Sequence, residues 1–147
     1  MDDSGLSDLE RDVLEMLLAG NDARLEQLRG QLDACRVRSR EMTGVGFWTS
    51  LAVPPGIEGV GNGLRTRLSD VVATIEGLEH GAGFVLFIEN GLLDNLEGFT
   101  YDEPWPDRIG GYSLRYMNEE RDLSDLAPDP TAEGGLPRSR SDVTRET

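Results

Sequence analysis

His80 is the single histidine of the chain and Cys35 the single cysteine, so chemistry that needs an imidazole or a thiolate has one candidate each. Glu79 adjoins His80, with Glu76 and Asp70 upstream, and a carboxylate beside an imidazole can orient it as a general acid or base. His80 and Glu79 are therefore the candidate catalytic residues of a hydrolase or small-molecule binder, against the plainer reading of a polar turn. A zinc or non-haem iron site usually takes two or three nitrogen or sulfur ligands. One His and one Cys far apart in sequence do not supply them, so neither a metal nor a cofactor is expected. Cys35 falls on an apolar helical stripe and reads as buried and inert. Acidic pairs such as Asp102 with Glu103 and Glu119 with Glu120 have the residue types of glycosidase or Mg²⁺ chemistry, yet among 28 acidic residues such pairs arise by chance. Ser50, Ser69 and Ser113 lack a nucleophile-elbow context. Gly59-Val60-Gly61-Asn62-Gly63 lacks the G-x-G-x-x-G spacing and the helix start that would hold a phosphate. The expectation is a non-enzyme.

A different kind of site is offered by Tyr101-Asp102-Glu103-Pro104-Trp105-Pro106-Asp107-Arg108. Two prolines around Trp105 hold the backbone extended with little entropy left to lose, and an aromatic amid carboxylates suits an interface anchor. Trp105 and Tyr101 are the candidate anchors, with Asp102, Glu103 and Asp107 as a polar rim. Trp105 closing one end of the core is an equal alternative.

The whole chain sets the partner chemistry. Its 147 residues amount to one domain with room for a tail. A net charge of -14 disfavours direct binding to phosphate backbones or anionic lipid. It favours a protein with a basic surface. A nucleic-acid mimic needs carboxylates spaced along one face, but the charge is evenly spread: ten acidic residues against six Arg in 1–50, seven against two in 51–100, eleven against six in 101–147. Arg without Lys is the codon habit of a GC-rich bacterial genome. Met1-Asp2-Asp3-Ser4 lacks the basic n-region of a secretory signal, and Phe84 to Ile88, the longest aliphatic and aromatic run, is far short of a membrane span. A cytoplasmic protein is expected, with a lone thiol suited to a reducing compartment.

The elements that would position these residues follow from periodicity. Leu9, Val13, Met16 and Leu17 make one helical stripe between about Leu6 and Ala19, opened by a Ser7/Glu10 capping box and closed at Gly20. Leu25, Leu28, Leu32 and Cys35 make a second stripe over about 23–37, so a helical hairpin over 6–37 is predicted. From Val45 to Val53 the period changes to two, which is a strand. Pro54-Pro55-Gly56 ends it, and the glycine-rich stretch to Gly63 reads as a mobile surface loop. Leu64–Leu68 is a short strand or an approach to the next one, and Val71–Leu78, Phe84–Glu89, Leu92–Tyr101 and Tyr112–Tyr116 supply further strand runs. Asn90-Gly91 predicts a type I′ hairpin setting Ile88 across from Leu93 and Phe87 across from Asp94. Phe84–Ile88 is apolar on both faces and needs cover on both: the helical hairpin on one, and a loop, a helix or the second subunit of a homodimer on the other. The fold class predicted is α+β: a single domain over 1–117, with the hairpin packed on a four- to five-stranded antiparallel meander over 44–117. Beyond it lies an acidic, proline-containing tail over 118–147, predicted disordered.

Two resemblances bear on this reading. Leu6-Ser7-Asp8-Leu9-Glu10-Arg11-Asp12-Val13-Leu14-Glu15 through Leu18-Ala19-Gly20 resembles the opening of LuxR-type helix-turn-helix domains, which implies DNA binding with Arg24, Arg29, Arg36, Arg38 and Arg40 as phosphate contacts. Where that family supplies a recognition helix, this chain gives Met42-Thr43-Gly44-Val45-Gly46-Phe47, so the element that reads bases is missing. The Arg cluster is then helix-terminus complementation and solvation. The run from Leu78 to Gly91 and on from Leu96 to Pro106, with Thr43-Gly44-Val45-Gly46-Phe47, resembles stretches in small bacterial proteins without known activity. That resemblance spans most of 6–117 and implies a self-contained domain, with no site residues.

The function expected is that of a non-enzymatic acidic module that binds another protein, of the immunity or anti-defence kind, occluding a basic surface by charge steering and aromatic anchoring. The alternatives are the small-molecule binder or hydrolase using His80 in a sheet–helix cavity, and the nucleic-acid mimic. His80→Ala separates the first two, since only a hydrolase depends on it.

Overall fold

The computed structural model describes residues 4–118 together with Glu120, Arg121 and Leu123. Two helices, α1 (Asp8–Leu17) and α2 (Ala23–Ala34), precede seven strands: β1 (Arg36–Met42), β2 (Gly46–Ala52), β3 (Thr66–Leu68), β4 (Val71–Ile75), β5 (Ala82–Glu89), β6 (Leu92–Thr100) and β7 (Tyr112–Tyr116). The class is α+β. The sheet is antiparallel in the order β1-β2-β6-β5-β4-β7, with β3 pairing β5 beside β4. This corrects the four- to five-stranded meander: the described residues form seven strands, and β2 pairs across the chain with β6.

Helices of 10 and 12 residues sit at or below the length at which isolated helices persist in water, about 12–15 residues. Their apolar faces hold them: Leu9, Val13, Leu14 and Leu17 of the first with Leu18 at its C-cap, and Leu25, Leu28 and Leu32 of the second with Cys35 at its C-cap, are all buried. Each leucine contributes about 2 kcal/mol on burial. Ser7 and Glu10 form the expected capping box on α1, and Asp22 caps α2 through the Arg24 N–H. The predicted helical hairpin over 6–37 is corrected on two counts. The second helix stops at Ala34, and the helices lie separately on the sheet, α1 over β4 and β5 and α2 over β6. The C-terminal carbonyls of α1 are covered by arginines, with Arg29 donating to the Leu18 oxygen at 2.6 Å and Arg121 to Leu17 and Ala19.

The chain beyond α2 is β1, an edge strand. Asn90 and Gly91 adopt the positive φ of a type I′ turn (54° and 71°), and Ile88 pairs with Leu93 as expected. Phe87 pairs with Asn95 rather than Asp94, because a bulge inserts one residue there. The glycine-rich loop is docked rather than free. Val60 is buried and its N–H donates to the Gly91 oxygen, while the Gly91 N–H donates to Leu64. Phe84, Leu86 and Ile88 point into the core. Val85 and Phe87 face the other side, where the Trp48 ring stacks on Phe87 at 5.9 Å; a ring from the same sheet thus covers part of the second face. Arg121 ion-pairs with Asp70 at 2.7 Å and lies over the Tyr116 ring. The remainder of the tail expected over 118–147, with Glu119, lies outside the described residues.

Candidate functional site

The segment after β6 turns a corner because Asp102 takes a left-handed φ of 62°, a conformation that Asp tolerates better than most side chains. Three anchorages hold that corner. The Thr100 N–H donates to the Val45 oxygen, and the Thr100 hydroxyl lies within hydrogen-bond reach of both the Val45 and Glu103 carbonyls. The Trp105 N–H donates to Gly44 at 2.8 Å. The Glu103 carboxylate accepts the backbone N–H groups of Glu79 and His80 at 2.8 and 2.7 Å, which hold its pKa below the ordinary value.

These contacts sort the sequence candidates. Trp105 is half-buried and meets Phe47 edge-on, with ring centroids 5.2 Å apart; its indole closes the end of the core beneath the corner. Tyr101 is 42% exposed and braced edge-on by Phe99 at 5.5 Å, and partial burial pushes its phenol pKa up. Asp102, next to it in the chain, and Asp107, further along the segment, are exposed. Glu103 is half-buried and occupied with the turn before β5.

His80 and Glu79 stand exposed in that same turn. The structure joins them to Glu103 through their backbone amides. Among the described residues no hydrogen bond or ion pair links the His80 ring to Glu79 or Glu76. Glu76 instead accepts the Gly111 N–H, and Asp70 holds Arg121. Among the described residues no group of three or more His, Cys, Asp and Glu gathers as a metal site would require, and no helix is long and apolar enough to cross a membrane.

Three exposed apolar residues were not among the sequence candidates. Met42 (56% exposed) and Val45 (53%) flank the β1–β2 turn, and Trp48 (38%) projects outward from β2. Val45 and Gly44 are the residues to which Thr100 and Trp105 are hydrogen-bonded, so the turn and the corner share one end of the sheet. Four of the five exposed large hydrophobic residues of the described surface lie at or near that end, but on two faces: Met42 pairs with Phe47 and so projects toward the helix-bearing side, whereas Trp48 stacks on Phe87 on the opposite side. The available signal was the alternation in β2: with Phe47, Thr49 and Leu51 inward, Trp48 must point out.

The chain matches no protein-family model, no curated protein and no solved structure.

Proposed function

We propose that this protein is a non-enzymatic acidic module that binds another protein through the sheet end carrying Tyr101. The observation that supports the reading is the exposure of Tyr101, braced by Phe99, on a backbone pinned through Thr100, Glu103 and Trp105. An aromatic anchor fixed before the partner arrives loses little entropy on binding, and the exposed carboxylates Asp102 and Asp107 of the same segment steer a basic surface inward. Tyr101 is the anchor, Trp105 its support from the core side, and occlusion of a basic active site is the mode of action, as in immunity and anti-defence proteins.

The test is affinity capture from lysate of the source bacterium using the tagged, intact protein at low and moderate salt, read by mass spectrometry. The expected outcome is one stoichiometric partner whose capture weakens with salt and falls about tenfold or more with Tyr101→Ala, the effect of losing a central aromatic. His80→Ala should leave capture unchanged. Recovery of the chain alone, or equal capture by Tyr101→Ala, overturns the proposal.

A further inference from the structure

The two ends of the sheet are finished differently. β1, at one end, carries Arg36, Arg38 and Arg40, is bulged between Val37 and Ser39, and has its Val37 N–H taken by the Ser4 carbonyl at 2.7 Å. Charge, bulge and a covering segment are the devices that keep an edge strand from pairing with another chain. β7, at the other end, has the sequence Tyr-Ser-Leu-Arg-Tyr and pairs with β4 without a register shift. The Met117 N–H donates to Asp70 and the Glu76 N–H to Gly111, each at 2.8 Å. Residues 111, 113, 115 and 117 therefore bond toward β4, and by alternation the N–H and C=O groups of Tyr112, Leu114 and Tyr116 point out of the sheet. Among the described residues no strand pairs with that side.

Beside this edge runs a groove of about 410 Å³ between β7 and α1, lined by Asp12, Glu15, Met16, Ala19, Tyr112 and Leu114. Two tyrosine hydroxyls brace it, Tyr112 donating to Asp12 Oδ2 and Tyr116 to the Met16 carbonyl, both at 2.7 Å. Asp8, Asp12 and Glu15 are exposed at i, i+4 and i+7 on α1, one carboxylate stripe along the groove. Met16, Ala19 and Leu114 give an apolar floor.

We propose that the outer edge of β7 receives an extended segment of a partner protein as an additional strand, with Arg or Lys at alternate positions seated in the groove. Main-chain hydrogen bonds to Tyr112, Leu114 and Tyr116 fix the register, which is how strand addition obtains affinity, and alternate side chains give specificity. A Lys or Arg stem lies along the apolar floor while its charge reaches Asp12 and Glu15. A second copy of this chain is disfavoured, because pairing the two edges would bring two such carboxylate stripes together on a chain of net charge -14. The surface goes beyond the Tyr101 end and stands independently of it.

The probe is a labelled synthetic peptide of about eight residues, a strand's length, alternating Arg and Thr, with a Glu-for-Arg peptide as control. Binding to the full chain is read by anisotropy, and hydrogen exchange is followed at the amides of 112, 114 and 116. The Arg peptide is expected to bind saturably and protect these three amides. Asp12→Asn with Glu15→Gln should weaken it roughly tenfold. Leu114→Pro, which removes an outward N–H at an edge position that tolerates proline, should abolish it, while Tyr101→Ala leaves it unchanged. Absence of binding, equal binding of the Glu peptide, or protection of the three amides in the full chain without peptide overturns the proposal; in the last case residues 124–147 or a second copy already hold the edge.

Discussion

The Glu10 carboxylate accepts from the Ser7 N–H at 2.9 Å, from Arg40 Nε at 2.9 Å and Nη2 at 2.5 Å, and from the Thr49 hydroxyl at 2.6 Å, although the residue is only 2% exposed. Burial alone would raise its pKa; the hydrogen bonds from Arg40, Thr49 and Ser7 outweigh it and set the value below the ordinary one. Glu10→Ala strands the Thr49 hydroxyl and leaves Arg40 facing a void, and the expected cost is about 3 kcal/mol, to be measured by urea denaturation. A destabilisation under about 1 kcal/mol, the worth of a surface pair, would contradict the assignment. Half of this arrangement was legible: Ser7 with Glu10 three residues on is a capping signature. The links to Arg40 and Thr49 cross 30 and 39 residues, and nothing local in the sequence announces them. The same limit applies to Tyr101 and Trp105, whose residue types marked them as aromatic anchors but whose opposite burial depends on where Phe47 and Phe99 stand.

Among the elements, those with a clear period were legible and those without were not. β2, β5, β6 and β7 each have a patterned or apolar run, and the Asn90-Gly91 turn follows from glycine's access to positive φ. β1 was missed because Arg-Val-Arg-Ser-Arg-Glu-Met has no apolar face, and the Leu25-to-Cys35 stripe carried the helix reading past Ala34. Strand order was hidden because β2 pairs with β6 rather than with its successor. Gly91 shows how an element can be recognised and its role still missed. Its carbonyl also accepts the buried Gln31 side-chain amide at 2.9 Å, whose oxygen takes the Leu93 N–H, so one turn ties together α2, the 56–64 loop and the sheet. Gly91→Ala adds strain at a φ of 71° and places a Cβ against the Val60 backbone. We expect a loss of about 2–3 kcal/mol, with exchange rising at the Val60 and Leu93 amides; a Tm within a degree of the parent would contradict this.

Over the whole molecule, charge sets the response to pH. Glu10, Asp22 and Glu103 all have folded pKa values below their ordinary ones: Glu10 for the reasons above, Asp22 through its Arg24 hydrogen bonds, and Glu103 through the Glu79 and His80 amides. A carboxylate depressed by folding contributes stability that is present above its unfolded pKa and lost as pH falls through the folded one. Stability is therefore expected to hold from neutral pH to the ordinary carboxylate range and to fall below it, with a shallower acid limb in Glu10→Gln. On the alkaline side, burial and the hydrogen bond to Asp12 push the Tyr112 phenol up to about 12. Its contribution is intact below pH 10 and is lost as pH rises through 12, which tyrosinate absorbance will follow. The central claim is that the Tyr101 end of the sheet is a preformed protein-binding surface. The most direct measurement is amide exchange over the full chain, free and in complex with its captured partner. Slow exchange is expected at the Trp105 amide in the free protein, with new protection over 42–48 and 101–107 in the complex. A footprint confined to the helices, or a Trp105 amide that exchanges freely until the partner binds, would contradict it.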